Sequence, residues 1–208
     1  MSYFHPAGEA RSKIEVKGSR FLAQIYPAQS RKEAEDRIAA VKSEFRDATH
    51  NCWAFRIYLA EGGFDFRSSD EGEPSGSAGR PILKSLEERN VADAVIIVTR
   101  YFGGTKLGMG GLSRAYRQAA RGVIAECALR EKLEMKRYEI HFRYCYEPMM
   151  RNHLYRSGGE MEFSYYEAFV IWRIAVPKET SQNFLRLASD ICRGEIEIKL
   201  MGESQTER

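Results

Sequence analysis

The sequence predicts an α+β chain of two small domains, on three observations. Stretches with the two-residue apolar period of strands are interspersed with stretches of helical spacing. That pattern breaks and restarts near Leu133. The basic excess stops at the same place: residues 1–132 hold 21 Lys and Arg against 17 Asp and Glu, and residues 133–208 hold 11 against 12. The expected domains are residues 1–133 and 134–208.

Within the first, Ser19 to Pro27 (SRFLAQIYP) reads as a strand ended by its proline. Ser30 with Glu33 three residues on forms a capping box. Ala34, Ile38, Val41 and Phe45 follow at helical spacing, to about Arg46. Asn51 to Ala60 is aromatic and β-branched and reads as a second strand, with a turn at Gly62-Gly63. Arg67 to Gly79 (RSSDEGEPSGSAG) is polar and aperiodic, a long loop of the functional or mobile kind. Pro81 suits the first turn of a short helix with Ile82, Leu83 and Leu86 inward, stopping near Asn90. Ala94 to Thr99 (AVIIVT) is continuously apolar, as in a strand covered on both faces. After the glycine-rich run Gly103–Gly111 a helix is expected from Leu112 to about Arg130. Leu112, Ala115, Ala119, Val123 and Cys127 share one face, with Arg114, Arg117 and Arg121 opposite.

In the second domain Tyr138, Ile140, Phe142, Tyr144 and Tyr146 alternate with polar residues as a half-exposed strand. Pro148 to Arg156 reads as a helix closed by Gly158-Gly159, and strands follow at Met161–Tyr165 and Phe169–Val176. Thr180 or Ser181 caps a helix ended by Gly194, and Ile196, Ile198 and Leu200 alternate in a last strand before a polar, frayed tail from Gly202. The order β-α-β-β-α-β is that of a ferredoxin-like unit.

With 43% hydrophobic and 29% charged residues, the chain can bury a core without disulfide or metal. Its longest strongly apolar run, Ala94 to Val98, is far short of a membrane span, and Met1 to Lys13 does not resemble a signal peptide. The cysteines at 52, 127, 145 and 192 form no CxxC pair, and the histidines at 5, 50, 141 and 153 lack zinc spacing. The expectation is a cytoplasmic protein with reduced thiols and without metal, cofactor or membrane contact; the sequence leaves the oligomeric state open, with a monomer favoured.

The functional surface is expected between about His50 and Tyr116. Ala94 to Ala125 carries Arg100, Lys106, Arg114, Arg117 and Arg121 and no acid, a field of one sign suited to phosphate. The glycines at 103, 104, 108, 110 and 111 permit close backbone approach, and a helix start behind them favours anions. Neither GxxxxGK[ST] nor GxGxxG is present, and a tight turn needing small residues is the alternative. No acids stand at i±4 among the helix arginines to balance them. Tyr101, Phe102 and Tyr116 are placed to stack on bases or to pack beneath the arginines. Asp70-Glu71-Gly72-Glu73 lacks EF-hand spacing and is expected to pair with nearby arginines rather than hold metal. An enzyme would draw its groups from His50, Cys52, Asp70, Glu73 and Ser75. However, GxSxG fails around Ser77, and neighbours two apart on a strand are too distant for a direct Cys–His bond.

The stretches SRFLAQIYPA (19–28), DATHNCWAFRI (47–57), SSDEGEPSGSAGRPIL (68–83) and VIIVTRYFGGTKLGMGGLSRAYRQAA (95–120) resemble the IMPACT/YigZ family in order and spacing. Ser77 stands where threonine is common and Glu71 where aspartate is common. The resemblance implies a first domain with the ribosomal-protein-like left-handed βαβ fold, as in the fourth domain of elongation factor G, and a second domain similar to that factor's last. It further implies a translation-linked role with RNA or the ribosome as partner. Eukaryotic relatives regulate translation by competing for a partner of a kinase, using an additional RWD domain. No room for one stands before Ser19, so that mechanism is not expected here. The leading expectation is a non-enzymatic RNA- or ribosome-associated regulator of translation. The alternatives are a hydrolase of a small phosphorylated or acyl substrate, and a protein-docking module using the aromatics of the second domain.

Overall fold

The computed structural model describes residues 2–59 and 62–207, with side chains through 203. Ala60, the expected end of the second strand, lies outside the described residues. The fold is α+β, with two antiparallel sheets and five α-helices among the described residues. Backbone contacts divide it into units at Tyr3–Arg130 and Glu131–Arg208. None of the described helices is long and apolar enough to cross a membrane.

The first unit contains β1 (Tyr3–Pro6), β2 (Ala10–Val16), β3 (Ser19–Pro27), α1 (Arg31–Glu44), β4 (His50–Tyr58), β5 (Phe64–Ser69), α2 (Gly79–Glu88), β6 (Ala94–Tyr101) and α3 (Gly108–Glu126). Its sheet runs β2-β3-β6-β4-β5, every neighbour antiparallel. The apolar run therefore becomes the central strand, fully buried from Ala94 to Val98. The period of two splits β6 between two cores: Val95 and Ile97 face α1, whose Ala34, Ile38 and Val41 cover them, whereas Ala94, Ile96 and Val98 face α2 and α3. Arg100 lies in phase with the second set.

The Ser30 hydroxyl accepts from the Glu33 amide at 3.2 Å, while the Glu33 carboxylate accepts from the amide of Gln29. The box forms with its return bond one residue earlier than expected. Three elements escape the sequence reading: β1, the edge strand β2, and β5. The last takes Arg67–Ser69 out of the expected loop and shortens it to residues 70–78. Helix α3 begins at Gly108, inside the glycine run, and ends at Glu126. Burial of Leu112, Ala115 and Tyr116 outweighs the poor propensity of three glycines in its first turn.

The second unit runs β7 (Leu129–Phe142), α4 (Glu147–Arg156), β8 (Glu160–Tyr166), β9 (Val170–Pro177), α5 (Lys178–Ile191) and β10 (Ile196–Glu207). These strands order β10-β7-β9-β8, all antiparallel. Met150 and Leu154 of α4, with Phe184 and Ala188 of α5, pack on Ile140, Trp172 and Ile174. Three expectations are corrected here. Tyr144 and Tyr146 leave the strand for a 3-10 turn, because β7 ends at Phe142. Helix α5 starts behind Pro177, so Thr180 and Ser181 lie in its first turn and their hydroxyls bond back to Pro177 and Lys178 carbonyls. The tail is not frayed: β10 continues to Glu207, paired against Lys132. Phe163 and Tyr165 of the edge strand β8 are half exposed.

Candidate functional site

The site lies where β4 begins and β6 ends. The sheet register sets His50 and Phe21 on either side of Arg100. Cys52 follows two residues on, on the same face. Tyr116 of α3 rises beneath them, its ring edge-on to Phe21 at 5.2 Å and fully buried.

Residues 70–78 fold over this cluster. The Asp70 carboxylate accepts from the amides of Gly76, Ala78 and Gly79 at 2.8, 2.8 and 2.9 Å. It thereby serves the free donors at the start of α2, which no adjacent side chain caps. Burial alone would raise the Asp70 pKa, but the three amide bonds outweigh it and hold the carboxyl below its ordinary value. A depressed folded-state pKa contributes stability that is complete above the ordinary carboxylate range and lost as pH falls through the lowered value. Asp70→Ala is therefore expected to destabilise at neutral pH by roughly 1–2 kcal/mol, on the scale of a lost cap. The deficit should shrink below about pH 4, as read by urea midpoints across pH. An identical deficit at all pH values would contradict it.

Gly72, at φ +89°, lays the loop on the imidazole, where a Cβ would stand 3.3 Å from His50 Nδ1. The carbonyl of Glu71 accepts from that Nδ1 at 2.8 Å. The Glu71 carboxylate takes bonds from Trp53 and Ser69 and pairs with Lys42 at 2.8 Å. Burial raises its pKa, and the Lys42 and Trp53 bonds outweigh that and lower it.

Glu73 is turned inward. Its Oε1 accepts from Arg100 Nη1 at 2.6 Å and from the Tyr116 hydroxyl at 2.8 Å, and its Oε2 lies 4.0 Å from His50 Nε2. Both members of the ion pair are nearly inaccessible, Glu73 at 8% and Arg100 at 5% exposed. The Arg100 guanidinium also lies over the rings of Phe21 and Phe102.

The structure thus places the expected anion contacts unequally. Arg100 is interior and neutralised by Glu73. Arg117 and Arg121 pair with Glu88 of α2, at 3.9 and 2.7 Å. Spacing along α3 cannot reveal that acid, because it comes from another helix. Tyr116 is closed to bases. The Tyr101 hydroxyl donates to Asp47, and Arg20 covers its ring. Lys106 and Arg114 are exposed, and no carboxylate pairs with either among the described residues.

The glycines divide as well. Gly103 is demanded by packing, since a Cβ there would meet the Gly18 backbone at 1.9 Å. Gly104 and Gly108 have φ of +85° and +68°. Gly110 has neither constraint: a Cβ there would meet nothing closer than Arg114 Nη1 at 3.8 Å. Helix α3 has no side-chain cap and no acid in its first turn, leaving its leading amides to an outside acceptor. Between that turn and the loop lies a groove of about 400 Å³, walled by Phe102, Leu107, Met109 and Leu112 and floored by His50, Glu73 and Arg100.

Of the hydrolase candidates, Cys52, Asp70 and Glu73 are held in structural bonds. Cys52 donates its one thiol proton to the carbonyl of Asp70 at 2.9 Å, with the Tyr116 hydroxyl 3.3 Å from the sulfur, and burial pushes the thiol up to about 12. It makes no bond to His50. Ser75 is exposed on the loop. Among the described residues no cluster of His, Cys, Asp and Glu fits a metal ion.

Comparison with known proteins agrees with the motif placement. The Impact N-terminal domain matches residues 17–124. YvyE of Bacillus subtilis is 31% identical over 95% of this chain and 90% of its own length. YigZ of Escherichia coli is 29% identical over 97% and 99%. Bovine Protein IMPACT is 32% identical over 46% of this chain and 30% of its own length. A solved structure described as a hypothetical protein superposes with a TM-score of 0.60, at 29% identity over 95% of this chain and 96% of that one. With the DEGEPSG loop wrapped over Arg100 and the glycine run opening α3, this chain belongs to the IMPACT family.

Proposed function

We infer that the chain is a non-enzymatic RNA- or ribosome-associated protein that modulates translation, and that its first unit holds nucleic-acid phosphates at the start of α3. The observation that carries this reading is the coincidence of uncapped amides, a bare Gly110, and the exposed, carboxylate-free Lys106 and Arg114. Internal pairing removes Arg100 from the contact set, and Arg117 and Arg121 share the one carboxylate of Glu88, so the free positive charge is smaller than the sequence suggests. Contacts of this kind hold a backbone without reading sequence. The element order, with β3 and β4 flanking β6, supports a βαβ arrangement in the first unit, of the kind the family resemblance implies, and a ferredoxin-like second unit.

Filter binding to single-stranded RNA against salt tests the reading. Affinity is expected to fall with salt, and Lys106→Ala and Arg114→Ala should each reduce the log–log slope by about 0.7. Arg121→Ala should change it less. A flat dependence, or no binding at low salt, removes phosphate neutralisation.

A further inference from the structure

We propose that the groove beside α3 accepts one unpaired nucleobase, edge first, and that its floor selects guanine over uracil. The inference rests on the phosphate reading above and adds what lies one step from the phosphate. Phe102 is 47% and Met109 62% exposed, at the mouth of the groove that Lys106 also lines. Large apolar side chains are normally withdrawn from water, and a ring held open beside a cation is suited to stacking on a base. The Arg100 guanidinium lies over that ring, 5.5 Å from the Phe102 centroid.

The floor presents acceptors. The Glu71 carbonyl can only accept, so the proton of the 2.8 Å bond is on His50 Nδ1, and in that tautomer Nε2 faces the groove as an acceptor. Glu73 Oε1 is filled by Arg100 and Tyr116, whereas Oε2 has no hydrogen-bond donor among the described residues. Two acceptors 4.0 Å apart call for adjacent N–H donors. Guanine carries them side by side, at N1 and the exocyclic N2. Uracil offers one N3–H flanked by two carbonyl oxygens, which the carboxylate repels. A duplex hides both edges, so the occupant is a single strand.

The test compares a labelled oligouridylate with the same strand carrying one central guanosine, by fluorescence anisotropy. Guanosine is expected to raise affinity about tenfold, the scale of a paired hydrogen-bond contact to a base. Phe102→Ala should abolish that gain and leave the salt slope unchanged, because stacking neutralises no phosphate. Phe102→Trp should retain the gain. An unaltered thermal midpoint for both variants excludes a folding effect. Equal affinity for the two strands, or a gain surviving Phe102→Ala, overturns the base pocket while salt-dependent binding leaves the phosphate site standing. No binding of either strand at low salt overturns both.

Discussion

Replacing Arg100 with methionine should destabilise the first unit by about 3–5 kcal/mol, the range for removing one member of a buried ion pair. The effect comes from the partner left behind. Glu73 Oε1 is held by Arg100 and Tyr116, on a side chain that is mostly buried, and without the guanidinium that carboxylate loses its compensating charge. Removing both charges, as Arg100→Met with Glu73→Met, should recover much of the loss, since a buried pair and an apolar replacement are often close in energy. Urea unfolding of the two single variants and the double variant forms the cycle. A double variant no better than the singles would mean that the pair is not an isolated unit. An unchanged midpoint for Arg100→Met would mean that the 2.6 Å contact contributes nothing.

Gly103→Ala should destabilise by about 1–3 kcal/mol, at the upper end for overpacking because the atoms met are backbone. Its Cβ would lie 1.9 Å from the Gly18 carbonyl carbon, 2.1 Å from its oxygen and 2.3 Å from the Ser19 nitrogen. Relief requires moving the turn between β2 and β3, which also breaks the 3.1 Å bond from the Gly103 amide to the Ser19 hydroxyl. Gly110→Ala, seven residues on, should do the opposite. Its nearest atom is Arg114 Nη1 at 3.8 Å, and alanine in a helix is favoured over glycine by roughly 0.5–1 kcal/mol. Thermal midpoints moving in opposite directions would bear out this division of the glycine run.

Where local pattern decides structure, the sequence was legible. Ala94–Val98 could only be a strand covered on both faces, and Leu112, Ala115, Ala119 and Val123 fall on one side of α3 as spacing requires. Edge strand β2 was legible in principle: Ala10, Ser12, Ile14 and Val16 alternate with Arg11, Lys13 and Glu15. Its apolar residues are small and only half buried, which weakens the signal. The burial of Arg100 was legible in the same way, because it continues the phase of Ile96 and Val98.

Local pattern in the chain was enough for the α+β class and, through the loop and glycine motifs, for membership of the IMPACT family. Only the tertiary structure decided which cations are spoken for. Glu88 reaches Arg121 from another helix, and Glu73 reaches Arg100 across 27 positions of chain. Periodicity reports which face a residue occupies because backbone geometry repeats locally. Charge pairing acts through space, so its partners are assigned only when distant segments meet.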